Sequence, residues 1–220
     1  RGQEGGLGFR SMQRLWIVGA GGHGAEVLNC LRDVIAARTH EVRFADANPR
    51  SAEFLGIPLE HQDAIAADEQ FVIAIGSSQA RECIDVELID RGARPFLLRA
   101  PTAVVGPAVD LGEGAALAEF ALLTANIRIG RQFQCNTFSY VAHDCVIGDF
   151  VTFAPRVSCN GNVHIGDHAY IGSGAVLRNG TPGRPLQIGA GATIGMGAVV
   201  VGDVAPGATV VGNPARPMTR

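Results

Sequence analysis

Residues 129–171 read IGRQFQCNTFSYVAHDCVIGDFVTFAPRVSCNGNVHIGDHAYI, and every sixth residue of this stretch is apolar. The same register extends in both directions and gives thirteen consecutive apolar positions from Val105 to Leu177. With 47% hydrophobic residues overall, one given register would do this by chance roughly once in twenty thousand trials. A period of six fits neither a helix nor a single amphipathic strand. It predicts a β-solenoid in which each group of six residues forms one flat side.

In this solenoid one apolar residue of each side points to the axis, and three sides make a coil of 18 residues. The position after each apolar residue is usually Gly or Asn, which predicts turns there with a positive φ. Coils stack at about 4.8 Å, the spacing of paired strands. Residues 105–211 then give five to six coils, and residues 178–187 form a loop outside the stack.

The first half of the chain reads as alternating strands and helices. Short apolar runs at residues 15–18, 42–45 and 71–75 predict strands, and helical spacing at residues 25–38 and 80–91 predicts helices. Such alternation is typical of a parallel sheet, here with three or four strands. We therefore predict a small Rossmann-like α/β domain followed by the solenoid.

Composition supports a boundary near Pro101. Residues 1–100 contain 11 Arg and 14 Asp or Glu, whereas residues 101–220 contain seven of each and 18 of the 29 glycines. Residues 1–11 are interpreted as a leader or an expression remnant, residues 12–100 as the α/β domain, and residues 101–220 as the solenoid domain.

The overall composition excludes several classes of function. A net charge of −3 does not favour nucleic acid or an anionic membrane as a partner, and no run of 18 apolar residues is long enough to span a membrane. The five cysteines form no CxxC pair, so no metal is expected, and an odd number favours a reducing, cytoplasmic location. All 18 basic residues are Arg, which excludes chemistry based on a lysine Schiff base.

One histidine of the solenoid is a candidate general base. His143 comes two residues after the inward position Val141, so it should project outward near a corner, with Asp144 beside it. Imidazole titrates near neutral pH and accepts a proton well, and a neighbouring carboxylate orients the ring. From the residues alone, a surface histidine next to a corner aspartate remains an equal alternative.

A glycine-rich turn follows the first predicted strand. It contains Gly19, Gly21, Gly22, His23 and Gly24, and Asp46 ends the second strand. Glycine allows close approach of a phosphate, and the N-terminus of a helix favours anions. The pattern also matches a dinucleotide fingerprint, but the domain is too short for two mononucleotide-binding halves. A nucleotide sugar is the better interpretation. Gly76 and Ser77 should present backbone amides at the same sheet edge, and Arg81 either neutralises phosphate or is a solvated helix residue.

Three motifs occur together in one family: LWIVGAGGHG at residues 15–24, SYVAHDCVIGDF at residues 139–150, and VVGNPAR at residues 210–216. With the hexapeptide repeat, they resemble the NeuD/PglD-like sugar acetyltransferases over residues 14–216. The resemblance implies a left-handed β-helix, a homotrimer, and acetyl-CoA bound between adjacent β-helices. It also implies that the α/β domain holds a nucleotide-linked amino sugar, and that acetyl passes directly to the sugar's amino group.

The resemblance assigns His143 as the general base and Asp144 as its partner, and it places His23 near the bound sugar. For acetyl-CoA, the open backbone at Gly161, the later positions Gly172, Ser173 and Met196, and the cation Arg216 are the candidates.

The chain departs from the family pattern at two positions, and two alternative functions stay open. Ala47 stands where many members have a second acid, and Thr152 where many have a second histidine. One alternative is O-acetylation of sialic acid or another sugar hydroxyl. The other is a non-catalytic β-helix protein, in which replacing His143 would change nothing measurable.

Overall fold

The computed structural model describes residues 12–218, so the predicted leader at residues 1–11 lies outside the described residues. The α/β domain contains a six-stranded sheet in the order β3-β4-β2-β1-β5-β6. Its strands are β1 (Gln13–Val18), β2 (His40–Asp46), β3 (Glu53–Phe54), β4 (Ile57–His61), β5 (Gln70–Ile73) and β6 (Arg94–Pro95). Its helices are α1 (Gly22–Cys30), α2 (Arg32–Ala36) and α3 (Ser78–Asp90), with a 3-10 turn at Gln62–Ala64.

The sheet is larger than the three or four strands predicted. All neighbouring pairs are parallel except β3 with β4, which form a hairpin at one edge. The sequence does not reveal this hairpin, because β3 has two residues and β4 contains Pro58, a residue typical of edge strands and loops. The long predicted first helix is divided at Leu31 into α1 and α2.

The second half is a parallel β-helix with three flat faces. Face 1 contains β7 (Leu98–Arg99), β10 (Ala116–Leu117), β13 (Gln134–Cys135), β16 (Thr152–Phe153), β19 (Tyr170–Ile171), β22 (Thr193–Ile194), β24 (Thr209–Val211) and the antiparallel β25 (Arg216–Pro217). Face 2 contains β8 (Val104–Val105), β11 (Leu122–Leu123), β14 (Tyr140–Val141), β17 (Ser158–Cys159), β20 (Val176–Leu177) and β23 (Val199–Val200). Face 3 contains β9 (Val109–Leu111), β12 (Ile127–Ile129), β15 (Val146–Ile147), β18 (Val163–Ile165) and β21 (Leu186–Ile188).

The apolar residues at every sixth position, which the sequence predicts to point to the axis, form the core of the β-helix. From Leu117 to Leu177 every sixth residue is buried, and each is at most 5% exposed. Full burial of each large apolar side chain contributes about 1.5–3 kcal/mol. The α/β domain followed by a β-helix is therefore confirmed. The first strand of the helix, β7, begins at Leu98, slightly before the predicted boundary.

The glycines after the inward residues have a different physical cause from the one predicted. None of Gly106, Gly112 and Gly130 has a positive φ, so that expectation is wrong. A Cβ atom at Gly106 would lie 1.7 Å from the carbonyl oxygen of Thr124 in the next coil, and one at Gly112 would lie 2.3 Å from the carbonyl carbon of Gly130. Glycine is required at these positions because neighbouring coils leave no space for a side chain.

The left-handed residues lie two places further along, at the edges between faces. We name each edge by the faces that it joins. Edge 1/2 carries Phe120, Phe138, Arg156, Gly174 and Gly197; edge 2/3 carries Ala108, Asn126, Asp144 and Asn162; edge 3/1 carries Gly114, Gln132, Phe150, His168, Gly191 and Gly207. After β20 the chain leaves the stack, forms a bridge between Thr181 and Arg184, and returns to register at β21.

Arg81 on α3 joins the two domains. Its side chain is 0% exposed, and its three nitrogens donate to the carbonyl oxygens of Gln132 and Phe150, to Thr152 Oγ1 at 2.9 Å and to neighbouring acceptors. Burial lowers the pKa of Arg81 to about 10, so the guanidinium stays charged at neutral pH. The α/β domain is thereby held against face 1.

A second buried contact lies one helical turn further along α3. The buried Asp85 faces Arg131 Nη2 at 2.7 Å and accepts a hydrogen bond from Gln132 Nε2 at 2.6 Å. Burial raises the pKa of Asp85, and the neighbouring Arg131 opposes that rise. Ion pairs and hydrogen bonds thus hold this polar interface, and they depend on direction in a way that an apolar contact does not.

We expect Arg81→Lys to lower the free energy of unfolding by about 2–4 kcal/mol, because an ammonium cannot reach all these acceptors and leaves buried carbonyls unpaired. Urea denaturation followed by circular dichroism measures the change. Arg184→Lys, in the exposed loop, is the matched control and should shift stability by no more than about 0.5 kcal/mol. Equal effects of the two substitutions would contradict this role of Arg81.

Candidate active site

His143 and Asp144 form a hydrogen-bonded pair on edge 2/3. Nδ1 of His143 lies 2.7 Å from Oδ2 of Asp144, and the imidazole is 64% exposed. Asp144 adopts the left-handed conformation with φ 61°, which turns its carboxylate back toward the ring. Hydrogen bonds to the carboxylate, first from His143 and then from Asn126, lower the pKa of Asp144. An ionised Asp144 holds the proton on Nδ1 and leaves the lone pair of Nε2 available as a base.

Gly161 packs directly against this imidazole. A Cβ at Gly161 would lie 2.6 Å from Cε1 and 2.7 Å from Nε2 of His143. The residue lies 18 positions after His143, so it occupies the same place in the next coil. Glycine at this position therefore leaves space for the catalytic candidate itself.

The glycine turn of the α/β domain separates into structural and open positions. Gly19 has φ 112°, and a Cβ at Gly24 would lie 2.2 Å from the carbonyl oxygen of Gly19, so both are needed for the turn. Gly21 and Gly22 are exposed, and a Cβ at either would meet nothing within 4 Å. The open backbone lies at the N-terminus of α1, where no side chain caps the helix.

An interdomain cleft of about 530 Å³ lies between α1 and face 1. His23, Asn136 and Phe120 are among its lining residues, together with the carboxylates Glu26 and Glu119. Nδ1 of His23 faces Glu26 at 3.0 Å. Hydrogen bonds from Arg32 and Thr102 hold Glu119 and lower its pKa. Arg32 therefore compensates the charge of Glu119, whereas the Glu26 carboxylate faces His23.

Asp46 lies in a second cavity at the end of β2, of about 430 Å³, which Asn48 and Arg50 also line. Its two carboxylate oxygens accept hydrogen bonds from the backbone amides of Ala20, at 3.1 Å, and Asn48, at 2.9 Å. Asp46 therefore shapes the glycine turn and the loop after β2 as well as lining the cavity.

Gly76 and Ser77 lie in a third cavity, of about 210 Å³, between the start of α3 and face 1. The Ser77 hydroxyl accepts a hydrogen bond from the amide of Ala80 and caps α3. The predicted substrate-binding residues are thus divided among three cavities: His23 in the first, Asp46 in the second, and Gly76 with Ser77 in the third.

The prediction for Arg81 is corrected by its surroundings. Both expected roles, neutralising a phosphate and remaining solvated on the helix, require an accessible guanidinium. The side chain is fully buried; Nε and Nη2 donate to residues of the β-helix, and Nη1 donates to the carbonyl oxygen of Ile75 and to Gln134 Oε1. The sequence does not show this, because the acceptors are backbone carbonyls of residues far away in the chain.

The residues expected to bind acetyl-CoA lie on two different edges of the β-helix and at the end of its stack of coils. Gly161 belongs to edge 2/3, whereas Gly172 and Ser173 follow β19 and Met196 follows β22 toward edge 1/2. The Met196 side chain is 82% exposed. Arg216, on β25, lines a cavity of about 380 Å³ at the end of the stack. Since face 2 separates the two edges, one chain does not bring these residues into one groove.

Two further observations concern ligands and membranes. Among residues 12–218, no group of three or more His, Cys, Asp or Glu side chains is arranged to hold a metal ion. The longest helix in this part of the chain is α3, with 13 residues, and none reaches the length and apolarity of a bilayer-spanning segment.

Comparison with known proteins gives the family. Residues 14–87 match the PglD N-terminal domain. The chain is 45% identical over 150 residues to GDP-perosamine N-acetyltransferase of Escherichia coli O157:H7, which covers 68% of each chain.

Solved structures resemble the whole fold. WeeI from Acinetobacter baumannii AYE matches with a TM-score of 0.90 and 44% identity, over 94% of this chain and 100% of that one. PerB from Caulobacter crescentus, in complex with CoA and GDP-perosamine, matches with a TM-score of 0.84 and 29% identity, over 95% and 99%. The similarity covers both domains and confirms the left-handed β-helix. The chain therefore belongs to the NeuD/PglD-like family of sugar N-acetyltransferases.

Proposed function

We propose that this protein transfers an acetyl group from acetyl-CoA to the amino group of a nucleotide-linked amino sugar, with His143 as general base. The observation that carries the proposal is the His143–Asp144 pair, which leaves Nε2 free on an exposed edge. The relatives named for GDP-perosamine make that nucleotide sugar the first acceptor to test.

The reaction follows from the geometry of the pair. As the acceptor nitrogen forms a bond with the thioester carbonyl carbon, His143 Nε2 takes the proton that this nitrogen loses. Asp144 stabilises the resulting imidazolium. Collapse of the tetrahedral intermediate breaks the C–S bond, and the imidazolium returns the proton to the CoA sulfur. Acetyl passes directly between the substrates, so no covalent acyl-enzyme is needed.

The relatives favour an amino sugar over sialic acid, since the solved PerB structure holds GDP-perosamine together with CoA. Of the two carboxylates that line the interdomain cleft, Glu119 is ion-paired with Arg32 and Glu26 faces His23. The open amides at Gly21 and Gly22, at the N-terminus of α1, suit the diphosphate, and Asp46 lies near enough to receive the nucleoside.

Face 2 supports a homotrimer. Its outward residues include Val104, Leu122 and Tyr140, and the first two are 54% and 38% exposed. On the adjoining edge 1/2, Phe120 and Phe138 stack with ring centroids 4.8 Å apart, although each is more than half exposed and left-handed. Aromatic residues are unusual in this conformation, and a contiguous apolar surface of this kind marks a protein interface. We assign face 2 to the threefold axis of three copies.

This arrangement completes the active site between chains. The α/β domain covers face 1, whereas His143 lies on edge 2/3, away from that face. With face 2 on the axis, edge 2/3 of one protomer meets edge 1/2 of the next. His143 of the partner subunit then approaches the interdomain cleft. The same contact brings Gly161 of the partner subunit toward Gly172, Ser173 and Met196, in one groove for acetyl-CoA that ends at Arg216. We further propose a cytoplasmic location, which the five free cysteines support, since unpaired thiols persist in a reducing compartment.

The acceptor is tested by CoA thiol release with acetyl-CoA and a panel of GDP-, UDP- and dTDP-amino sugars, with free sialic acid alongside. We expect turnover on a nucleotide amino sugar, GDP-perosamine first, and a loss of at least about 100-fold in kcat for His143→Ala, as for removal of a general base. Turnover on sialic acid alone would favour O-acetylation. An active His143→Ala protein would overturn the proposed mechanism.

Gly161→Ala should lower kcat by about 10- to 100-fold, because the new methyl group displaces the imidazole of His143 from its place. Thermal melting should change little if the ring alone moves. Gln187→Ala is the control, since this exposed side chain lies on face 3 and lines none of the cavities described above. A fully active Gly161→Ala protein would show that the imidazole is not held by this contact.

Leu122→Glu should convert the trimer into monomers and abolish turnover, although residue 122 is exposed in a single chain. Light scattering should give about three times the 23.0 kDa chain mass for the wild type. Gln187→Glu places a similar charge on face 3 and should leave both mass and activity intact. Active Leu122→Glu monomers would contradict a site shared between chains.

A further inference from the structure

Asn126 lies directly below Asp144 in the stack of coils. The two residues are 18 positions apart, and both adopt the left-handed conformation on edge 2/3, with φ 53° and 61°. Nδ2 of Asn126 donates a hydrogen bond to Oδ1 of Asp144 at 2.5 Å. Because Oδ2 of the same carboxylate faces His143 at 2.7 Å, Asp144 is held from both sides.

An exposed histidine–carboxylate pair needs such a second support. The side chains of His143 and Asp144 are 64% and 42% exposed, and pairs at this exposure contribute little stability and hold no fixed geometry by themselves. The amide of Asn126 adds a fixed donor that restricts rotation of the carboxylate, and it lowers the pKa of Asp144 by favouring the charged form. A fixed carboxylate in turn keeps Nε2 of His143 at one position.

We propose that Asn126 is a positioning residue for the catalytic pair, acting on His143 through Asp144. This inference rests on the proposed function, in which His143 is the general base. It extends that function by one residue in the neighbouring coil, so that the catalytic unit becomes a chain of three side chains, Asn126, Asp144 and His143.

The left-handed conformation alone does not account for asparagine here. Asparagine is favoured at positive φ, but Ala108 occupies the same column one coil lower with φ 53°. Alanine is thus accepted on this edge. Asn162, one coil higher with φ 59°, makes no side-chain hydrogen bond within residues 12–218. It is therefore a matched position that has the conformation without the contact.

The test compares Asn126→Asp, Asn126→Ala and Asn162→Ala in the thiol-release assay with acetyl-CoA and GDP-perosamine. Asn126→Asp keeps the shape and the left-handed preference of the residue but replaces the donor by a carboxylate that repels Asp144. We expect it to lower kcat by about 10- to 100-fold and Asn126→Ala by about 10-fold, with KM for both substrates within about twofold of the wild type. Asn162→Ala removes a side chain that makes no such hydrogen bond and should stay within about twofold in kcat.

A purely structural role gives the opposite order. It predicts a nearly normal Asn126→Asp protein and a loss of stability, with lower activity, for Asn126→Ala. Melting temperatures identify any variant that fails to fold, and Ala108 indicates that Asn126→Ala remains folded. Normal kcat for Asn126→Asp, or equal losses for Asn126→Ala and Asn162→Ala, would overturn the inference.

His143→Ala is measured in the same series. If it is inactive while Asn126→Asp is normal, the inference fails and the proposed function stands. If His143→Ala is active, the general-base role of His143 in the proposed function fails and the inference fails with it.

Discussion

Each coil of the β-helix must lie directly on the coil before it, because the backbone hydrogen bonds of its strands have no other partners. This requirement sets the register of 18 residues, visible in the parallel pairs Leu122 with Tyr140 and Tyr140 with Ser158. It also brings backbones so close at the ends of the strands that only glycine fits, as at Gly106. The catalytic candidates depend on the same register, since Asn126 contacts Asp144 from the coil below and Gly161 contacts His143 from the coil above.

The sequence predicts the β-helix because the residues that point to the axis are apolar and recur at every sixth position. It also marks His143 and Asp144, since both belong to one short motif. The cause of the glycines is misread, because the pattern shows where glycine occurs but not whether φ or close approach requires it. Arg81 cannot be assigned from the sequence. Its acceptors include carbonyls on edge 3/1, and their position depends on how the two domains meet.

Parts of the candidate site can be predicted from the sequence and parts cannot. The His143–Asp144 pair and the glycine turn can be predicted, because each consists of residues that are neighbours in the chain. The interdomain cleft cannot, because α1 and face 1 come from segments about a hundred residues apart. The sequence also does not reveal that Gly161 lies on a different edge of the β-helix from Gly172 and Met196. Because Arg81 holds the two domains together, the position of the cleft depends on both domains and not on either one alone.

The loop at residues 178–185 shows where this architecture can change its length. Between Val163 and Leu186, which pair as neighbours on face 3, the chain spends 23 residues instead of 18, and the register above and below is unaffected. The extra residues emerge at edge 2/3, the same edge that carries His143, and Gly180 donates its amide to the carbonyl of Gly161. Additions at an edge leave the stacked strands untouched, whereas additions within a strand would shift every inward residue above them. Descendants of such a protein can therefore acquire new surface beside the chemistry without having to evolve a new scaffold.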